Sequence, residues 1–376
     1  MNIEERNQKI IDAIIAKEEK LCPGVISLIG INGSFMRGDY YEKSDLDLLI
    51  VINEERGNQL SCCFIQEDIG VGHDIYCTAW ERLEEMANYE DPYISKLMDA
   101  KIVYYSTEAE VERLEGLREK VRRILESPFT KEDFIKVDKT FAMARGFEDK
   151  AFSSRGISDA RTFAGAAIYY VENALALLNK TYFKKGVKMA YEELGAMERR
   201  PGNLIDLINK VVLSDREADV KSSLECLMNE AKLTISRAAS DYGIGCDGFD
   251  DGAKGIREEE KAGAKVKEAD AISLTGTYEE MVSNWRNKMH LAAESHNHYL
   301  AFMSLVSFNS MIEDLKEKVR IGDYNGLKCY NPGDLKETAD RFDRLLEEYL
   351  KEYQKVGMEP KKYRDVDEFV EQYLLK

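Results

Sequence analysis

Residues 33–51 read GSFMRGDYYEKSDLDLLIV and carry the strongest structural signal in the chain. A glycine–serine turn leads through a polar loop into a strand that we predict over residues 45–52. Side chains alternate between the two faces of a strand, so Asp45 and Asp47 are predicted to share one face while the leucines beside them take the other. Same-face neighbours lie roughly 6.5–7 Å apart, close enough for two carboxylates to hold a shared pair of metal ions. Because bare carboxylates this close would repel each other, the pattern predicts a metal-dependent site for phosphate chemistry.

These residues resemble the nucleotidyltransferase superfamily typified by DNA polymerase β. The family pattern is a Gly-Ser turn followed, after a loop, by alternating acidic and hydrophobic residues, and here Gly33-Ser34 and Asp45-Leu46-Asp47-Leu48 match it. One departure is the polar Asn32, where the family has an apolar residue before the glycine. The form with Arg37 after the Gly-Ser turn is similar to the small-molecule, aminoglycoside-type branch.

The resemblance implies a role for each matching residue. Asp45 and Asp47 would hold two Mg²⁺ ions, and a nucleoside triphosphate, with ATP favoured, would be the co-substrate. Gly33 would allow close backbone approach to the outer phosphates, and the hydroxyl and amide of Ser34 would donate to them. Arg37 would neutralise phosphate charge.

A third carboxylate is expected on a later strand of the same sheet. Residues 73–79 read HDIYCTA and predict a strand on which Asp74, Tyr76 and Thr78 share one face. The family places its last metal ligand or its general base early in such a strand, so Asp74 is the third predicted catalytic and metal-binding residue. Glu67 and Asp68 are rivals, but they lie beside two glycines and are more typical of a turn.

The charge of the chain bears on its partners. There are 70 acidic and 53 basic residues, which gives a net charge of −17. A polynucleotide partner favours a basic surface, so we expect no nucleic acid partner and a small, hydroxyl-bearing acceptor that is itself cationic. The seven cysteines are scattered, as in proteins of a reducing compartment, and no segment has the apolar length of a membrane span. We therefore expect a cytoplasmic protein with no membrane partner, and the sequence leaves monomer and homodimer open.

The pattern along the chain predicts an α+β fold with two domains. Residues 1–106 alternate helices with short apolar strands, and we predict a nucleotidyltransferase fold with a mixed β-sheet flanked by helices. Residues 107–376 are predicted to form an all-α helical bundle, with a subdivision at a flexible loop over residues 243–272. Ser/Thr residues followed three positions later by Asp or Glu predict three capped helix starts, at Thr130, Ser214 and Thr277. Glu172 lies midway along an apolar helix and is a weaker candidate for activating an acceptor.

These observations predict an Mg²⁺-dependent transferase that moves a nucleoside monophosphate to a hydroxyl group of a small molecule. An aminoglycoside would be such an acceptor, and the enzyme would then confer antibiotic resistance. Three alternatives stay open. They are an enzyme that adenylylates a protein, as in toxin–antitoxin systems, an enzyme that modifies nucleic acid ends, and a nucleotide-binding module without turnover.

Overall fold

A computed structural model describes residues 1–33, 44–244 and 266–375. The chain forms two compact units, and neither is continuous in sequence. The first unit contains Met1–Leu125, Leu274–Asn287 and Tyr353–Lys376, and the second contains Glu126–Ser273 and Lys288–Glu352. The predicted domain boundary at residue 106 stays a prediction. In the structure the first compact unit runs to Leu125 and also contains two segments from later in the chain.

A mixed four-stranded sheet lies in the first unit. Its order is β5-β2-β1-β6, and the strands are β1 (Ile26–Ile31), β2 (Leu48–Ile52), β5 (Cys77–Ala79) and β6 (Lys101–Tyr105). The central strand β1 is antiparallel to both β2 and β6, whereas β2 and β5 are parallel. All residues of β1 and β2 are buried, as expected for strands covered on both faces.

A second sheet is built beside the first by the strands that follow β2. Its order is β4-β3-β9, with β3 (Cys62–Gln66), β4 (Val71–Ile75) and β9 (Lys362–Tyr363). The single strand predicted over residues 73–79 is therefore two strands that join different sheets, with Tyr76 between them. The prediction that Asp74 lies on a later strand of the same sheet is therefore wrong, because the chain changes sheets at Tyr76 and leaves Asp74 on β4 of the second sheet.

The helices of the first unit include α1 (Ile3–Leu21), α2 (Trp80–Met86), α3 (Ser95–Asp99) and α4 (Glu108–Glu126). The C-terminal helix α15 (Val366–Leu375) also belongs here and packs with α1 against one face of the sheets. Phe369 on α15 stacks on Phe64 of β3 with ring centroids 3.8 Å apart, and the Tyr373 hydroxyl donates to the Leu60 carbonyl. The last residues of the chain thus complete the core of its N-terminal sheets, although we expected them in the helical bundle.

The second unit is helical, which together with the sheets confirms the predicted α+β class. Its main helices are α5 (Lys131–Ser153), α6 (Ile157–Leu178), α7 (Ala190–Ala196), α8 (Leu204–Leu213), α9 (Glu217–Asp241), α12 (Asn287–Glu294), α13 (His298–Lys318) and α14 (Leu335–Lys355). A short parallel pair, β7 (Lys267–Glu268) and β8 (Val319–Arg320), accompanies them. Helices α6 and α13 approach closely, since a β-carbon at Gly165 would lie 2.2 Å from Val306 Cγ2. No helix in the described part of the chain is long and apolar enough to cross a membrane.

The predicted helix starts have mixed outcomes. Thr130 caps α5 through a reciprocal capping box with Asp133, as predicted. The predicted caps at Ser214 and Thr277 are wrong, because each hydroxyl instead donates to a preceding carbonyl, on Lys210 and Leu274 respectively. Ser and Thr hydroxyls can bond either to the next helix start or to a carbonyl of the preceding turn, and here the preceding carbonyls accept them. Residues 245–265 of the predicted flexible loop lie outside the described residues.

Candidate active site

Asp45 and Asp47 lie in the extended segment that leads into β2. The assigned strand begins at Leu48, three residues later than predicted. The extended conformation nevertheless begins earlier, since the Asn32 amide donates to the Asp47 carbonyl at 2.9 Å and continues the pairing of β1 with β2. The predicted alternation is confirmed: Leu46 is buried in the core while both aspartates are partly exposed.

Gly33 lies against the carboxylate of Asp47. Its φ of +75° is in the left-handed region, and a β-carbon there would stand 1.8 Å from Asp47 Oδ2. Position 33 therefore requires glycine for two separate reasons, its backbone conformation and the space occupied by the carboxylate. This contact with Asp47 was not predicted, and the predicted approach of Gly33 to the outer phosphates stays a prediction. Ser34 and Arg37, the other predicted nucleotide-binding residues, lie outside the described residues.

Asp74 lies on the partly exposed side of β4. Its neighbour Ile75 is buried in the same core as Ile50 of β2, whereas Asp74 is partly exposed. Three residues after Asp74, Cys77 on β5 pairs with Ile50, so the chain passes from Asp74 into the sheet beside β2. Because Asp74 itself belongs to the second sheet, its sharing of a face with Asp45 and Asp47 stays a prediction.

Asp74 has two partners that the sequence did not indicate. On the neighbouring strand, Cys63 pairs with Asp74 in register and its thiol donates to Asp74 Oδ1 at 2.9 Å. Burial and the nearby Asp74 carboxylate together raise the pKa of the Cys63 thiol far above its usual value, so it stays protonated as a donor.

The second partner of Asp74 is Glu280 on α11 (Thr277–Met281). Burial and the charge of Asp74 raise the pKa of the Glu280 carboxyl. The segment that carries Glu280 is fixed on β4, because a β-carbon at Gly72 would lie 2.6 Å from the backbone of Ser283 and the Ser283 hydroxyl donates to the Gly72 carbonyl at 3.1 Å. Ser283 lies in a π-helical turn, Val282–Arg286, an irregularity that is frequent near functional sites.

A buried arginine supports the segment before Asp45. Arg6 on α1 is 4% exposed, and its guanidinium donates to the Ser44 carbonyl at 2.6 Å. Burial lowers the pKa of Arg6, while the negative charges of Asp45 and Asp68 oppose that shift. The positive charge of Arg6 thus lies near Asp45 and offsets part of the repulsion among the carboxylates.

The three aspartates do not form a closed metal-ligand group. Within residues 1–33, 44–244 and 266–375, no three His, Cys, Asp or Glu side chains are close enough together to hold a metal ion. The roles of Asp45, Asp47 and Asp74 therefore stay predictions, as do those of Gly33, Ser34 and Arg37. The structure adds the contact of Gly33 with Asp47, the thiol bonded to Asp74 and the arginine bonded to the segment before Asp45.

Comparison with known proteins bears on the class of this fold. Residues 11–131 match the family model described as the nucleotidyltransferase domain, a range that contains strands β1 to β6 and all three aspartates. The match supports the predicted enzyme class for this part of the chain: residues 11–131 form a nucleotidyltransferase domain. The crystal structure of a nucleotidyltransferase-like protein from Exiguobacterium sibiricum 255-15 is similar at 12% identity and a TM-score of 0.34, covering 60% of this chain and 76% of that one. No curated protein matches the chain.

Proposed function

We propose that this nucleotidyltransferase is Mg²⁺-dependent and transfers a nucleoside monophosphate, from ATP in preference to other triphosphates, to a hydroxyl group of a small molecule. The observation that carries the proposal is the position of the Asp47 carboxylate against Gly33, which brings the glycine of the turn and the acidic strand residue together. Asp45 lies on the same face as Asp47 by alternation along the segment. Asp74, three residues before β5, would supply the third carboxylate.

The donor chemistry of this face fits Mg²⁺. Carboxylate oxygens are the protein ligands that hard divalent cations prefer, and Gly33 leaves room for the Asp47 carboxylate where any side chain would displace it. Asp45, Asp47 and Asp74 would hold the ions. When bound, Mg²⁺ supplies positive charge that neutralises the phosphates and the leaving pyrophosphate.

The residues of the chain would position the reactants. The backbone at Gly33 would approach the outer phosphates, and Ser34 and Arg37 would bind them. The thiol of Cys63 would hold one oxygen of Asp74 in place through the bond it already makes. Asp74 would either ligate a metal ion or take the proton of the acceptor hydroxyl.

The nature of the acceptor is proposed from charge. With a net charge of −17, the chain favours a small cationic acceptor over a polynucleotide, and aminoglycosides combine positive charge with several hydroxyl groups. A protein acceptor remains the main alternative class, since an accessible protein hydroxyl would satisfy the same chemistry.

The proposal is tested with ATP labelled at the α-phosphate, Mg²⁺, and a panel of aminoglycosides and other hydroxylated compounds. Label transferred to a small molecule, together with release of pyrophosphate, is the expected result. Label in protein would favour protein adenylylation. Salt-sensitive labelling of RNA or DNA ends would favour the nucleic-acid alternative.

The control is Asp47→Asn, which keeps the shape of the side chain and removes its charge. It is expected to abolish transfer while leaving the melting temperature unchanged or slightly raised, because a repelling charge is removed. Full transfer activity in this variant would contradict the proposal. A large loss of stability would instead mark Asp47 as a structural residue.

A further inference from the structure

Tyr76 lies two residues after Asp74, where the chain passes from the second sheet into the first. Its two sequence neighbours, Ile75 and Cys77, pack into the core on the opposite face, and the Tyr76 side chain is 41% exposed. Same-face neighbours along an extended segment are roughly 6.5–7 Å apart. Tyr76 is therefore an accessible aromatic side chain at the edge of the proposed metal site.

Lys96 is held over this tyrosine. It lies on the short helix α3, which is fixed by the buried side chains of Ile94 and Leu97. The Lys96 ammonium is 4.3 Å from the centroid of the Tyr76 ring and donates a hydrogen bond to the Tyr76 hydroxyl. The two contacts together fix the position of a flexible side chain whose ammonium would otherwise sample many rotamers.

The charge of Lys96 is not neutralised by a carboxylate. Among the described residues its polar partner is the hydroxyl of Tyr76, and it forms no ion pair. An ammonium that rests on a neutral ring and forms no ion pair is available to bind an incoming anion. Other lysines of the first unit are placed differently: Lys9, for example, pairs with Asp367.

We infer that Lys96, oriented by Tyr76, contacts a phosphate group of the bound nucleoside triphosphate. A triphosphate is strongly anionic, and the proposed site has three carboxylates, so cations besides the metal ions would be favoured there. Lys96 is a cation held on Tyr76, two residues from Asp74. The inference rests on the proposed function, because it assumes that the triphosphate binds at the aspartates.

The test is calorimetric titration of the purified chain with the α,β-methylene analogue of ATP in the presence of Mg²⁺. Lys96→Met is expected to weaken binding about tenfold or more, the range expected for loss of one charge-assisted contact. Lys96→Arg should restore most of the affinity, and Tyr76→Phe should cause a smaller loss because the ring remains. The matched control is Lys20→Met on α1, the helix that covers the opposite face, and its affinity should equal that of the wild type.

The outcomes separate this inference from the proposed function. Tight binding by the wild type and equally tight binding by Lys96→Met would overturn the role of Lys96 and leave the proposed function standing. Equal losses in Lys96→Met and Lys20→Met would also overturn it, since they would reflect net charge alone. Absence of binding by the folded wild type would overturn both.

Discussion

The carboxylate of Asp47 fills the space that a side chain at Gly33 would need. An added β-carbon at Gly33 would lie 1.8 Å from Asp47 Oδ2 and 2.7 Å from its carboxyl carbon. The glycine of the turn and the second acidic residue of the strand segment, which are far apart in the motif, are thus in direct contact. Gly33 therefore leaves room for the Asp47 carboxylate, in addition to its proposed approach to the phosphates.

This contact predicts that Gly33→Ala abolishes transfer by displacing Asp47. The matched control is Gly24→Ala, because Gly24 has nearly the same φ, +78°, with nothing within 4 Å of an added β-carbon. Both variants carry the backbone strain of a left-handed alanine, about 1 kcal/mol, but only Gly33→Ala adds the clash. Both tryptophans, Trp80 and Trp285, lie in the first unit, so their fluorescence during denaturation measures its stability. Equal activity in the two variants would contradict the argument.

The hydrogen bond from Cys63 to Asp74 predicts a graded response to substitution. Cys63→Ser keeps a donor and should retain most of the activity, whereas Cys63→Ala leaves Asp74 Oδ1 without it and should lower kcat about tenfold. The KM for ATP should change less than kcat if the bond positions Asp74 for catalysis. If Cys63→Ser and Cys63→Ala lose activity equally while both stay folded, the thiol contributes by packing alone.

In the second unit, buried Glu172 predicts a pH-dependent stability. Its two carboxylate oxygens lie 2.6 and 2.7 Å from the Tyr299 hydroxyl, and burial raises its pKa from 4.5 to about 8. Between these values the folded state holds a proton that the unfolded state has lost, so this group lowers stability progressively as the pH rises through that window. Glu172→Gln removes the effect, and its melting temperature relative to the wild type should increase from pH 5 to pH 8.5.

The control for this pH experiment is Glu198→Gln, an exposed glutamate of the same unit. Its melting temperature should differ from that of the wild type by the same small amount at every pH. A difference between Glu172→Gln and the wild type that is flat across the range would show that Glu172 ionises normally. Such a flat difference would contradict the argument that burial raises the pKa of Glu172.

Because the C-terminal helix α15 packs on the N-terminal sheets, a substitution in it should destabilise the first unit. Phe369 is 1% exposed and stacks on Phe64, so Phe369→Ala should destabilise the first unit by about 3–5 kcal/mol. Tryptophan fluorescence during denaturation measures this, with the exposed neighbour Glu371→Ala as the control. An unchanged denaturation midpoint for Phe369→Ala would mean that α15 is dispensable for the sheets.

The predictable features of this chain are local and periodic. The alternation from Asp45 to Leu48 is visible in the sequence because strand side chains repeat every two residues. Gly33 could be predicted because a glycine before a polar loop marks a backbone that other residues rarely adopt.

The unpredicted features depend on contacts between distant segments. Nothing periodic in the sequence links Glu280 to Asp74, or Phe369 to Phe64, and their helices look like ordinary members of a bundle. The donor role of Cys63 depends on the register of β3 against β4. A slip of one residue would turn the Cys63 side chain to the other face of the sheet, away from Asp74. Lys96 could not be predicted as a binding residue because a single lysine on a short helix belongs to no sequence motif or periodic pattern.

The most direct test of the central claim is a crystal structure of the chain with Mg²⁺ and the α,β-methylene analogue of ATP. The claim is that Asp45, Asp47 and Asp74 hold the divalent ions beneath a nucleoside triphosphate. We predict metal ions bound by oxygens of all three side chains and bridged to the phosphates. An analogue that binds with its metal ions elsewhere, and with these three carboxylates turned away from it, would contradict the account.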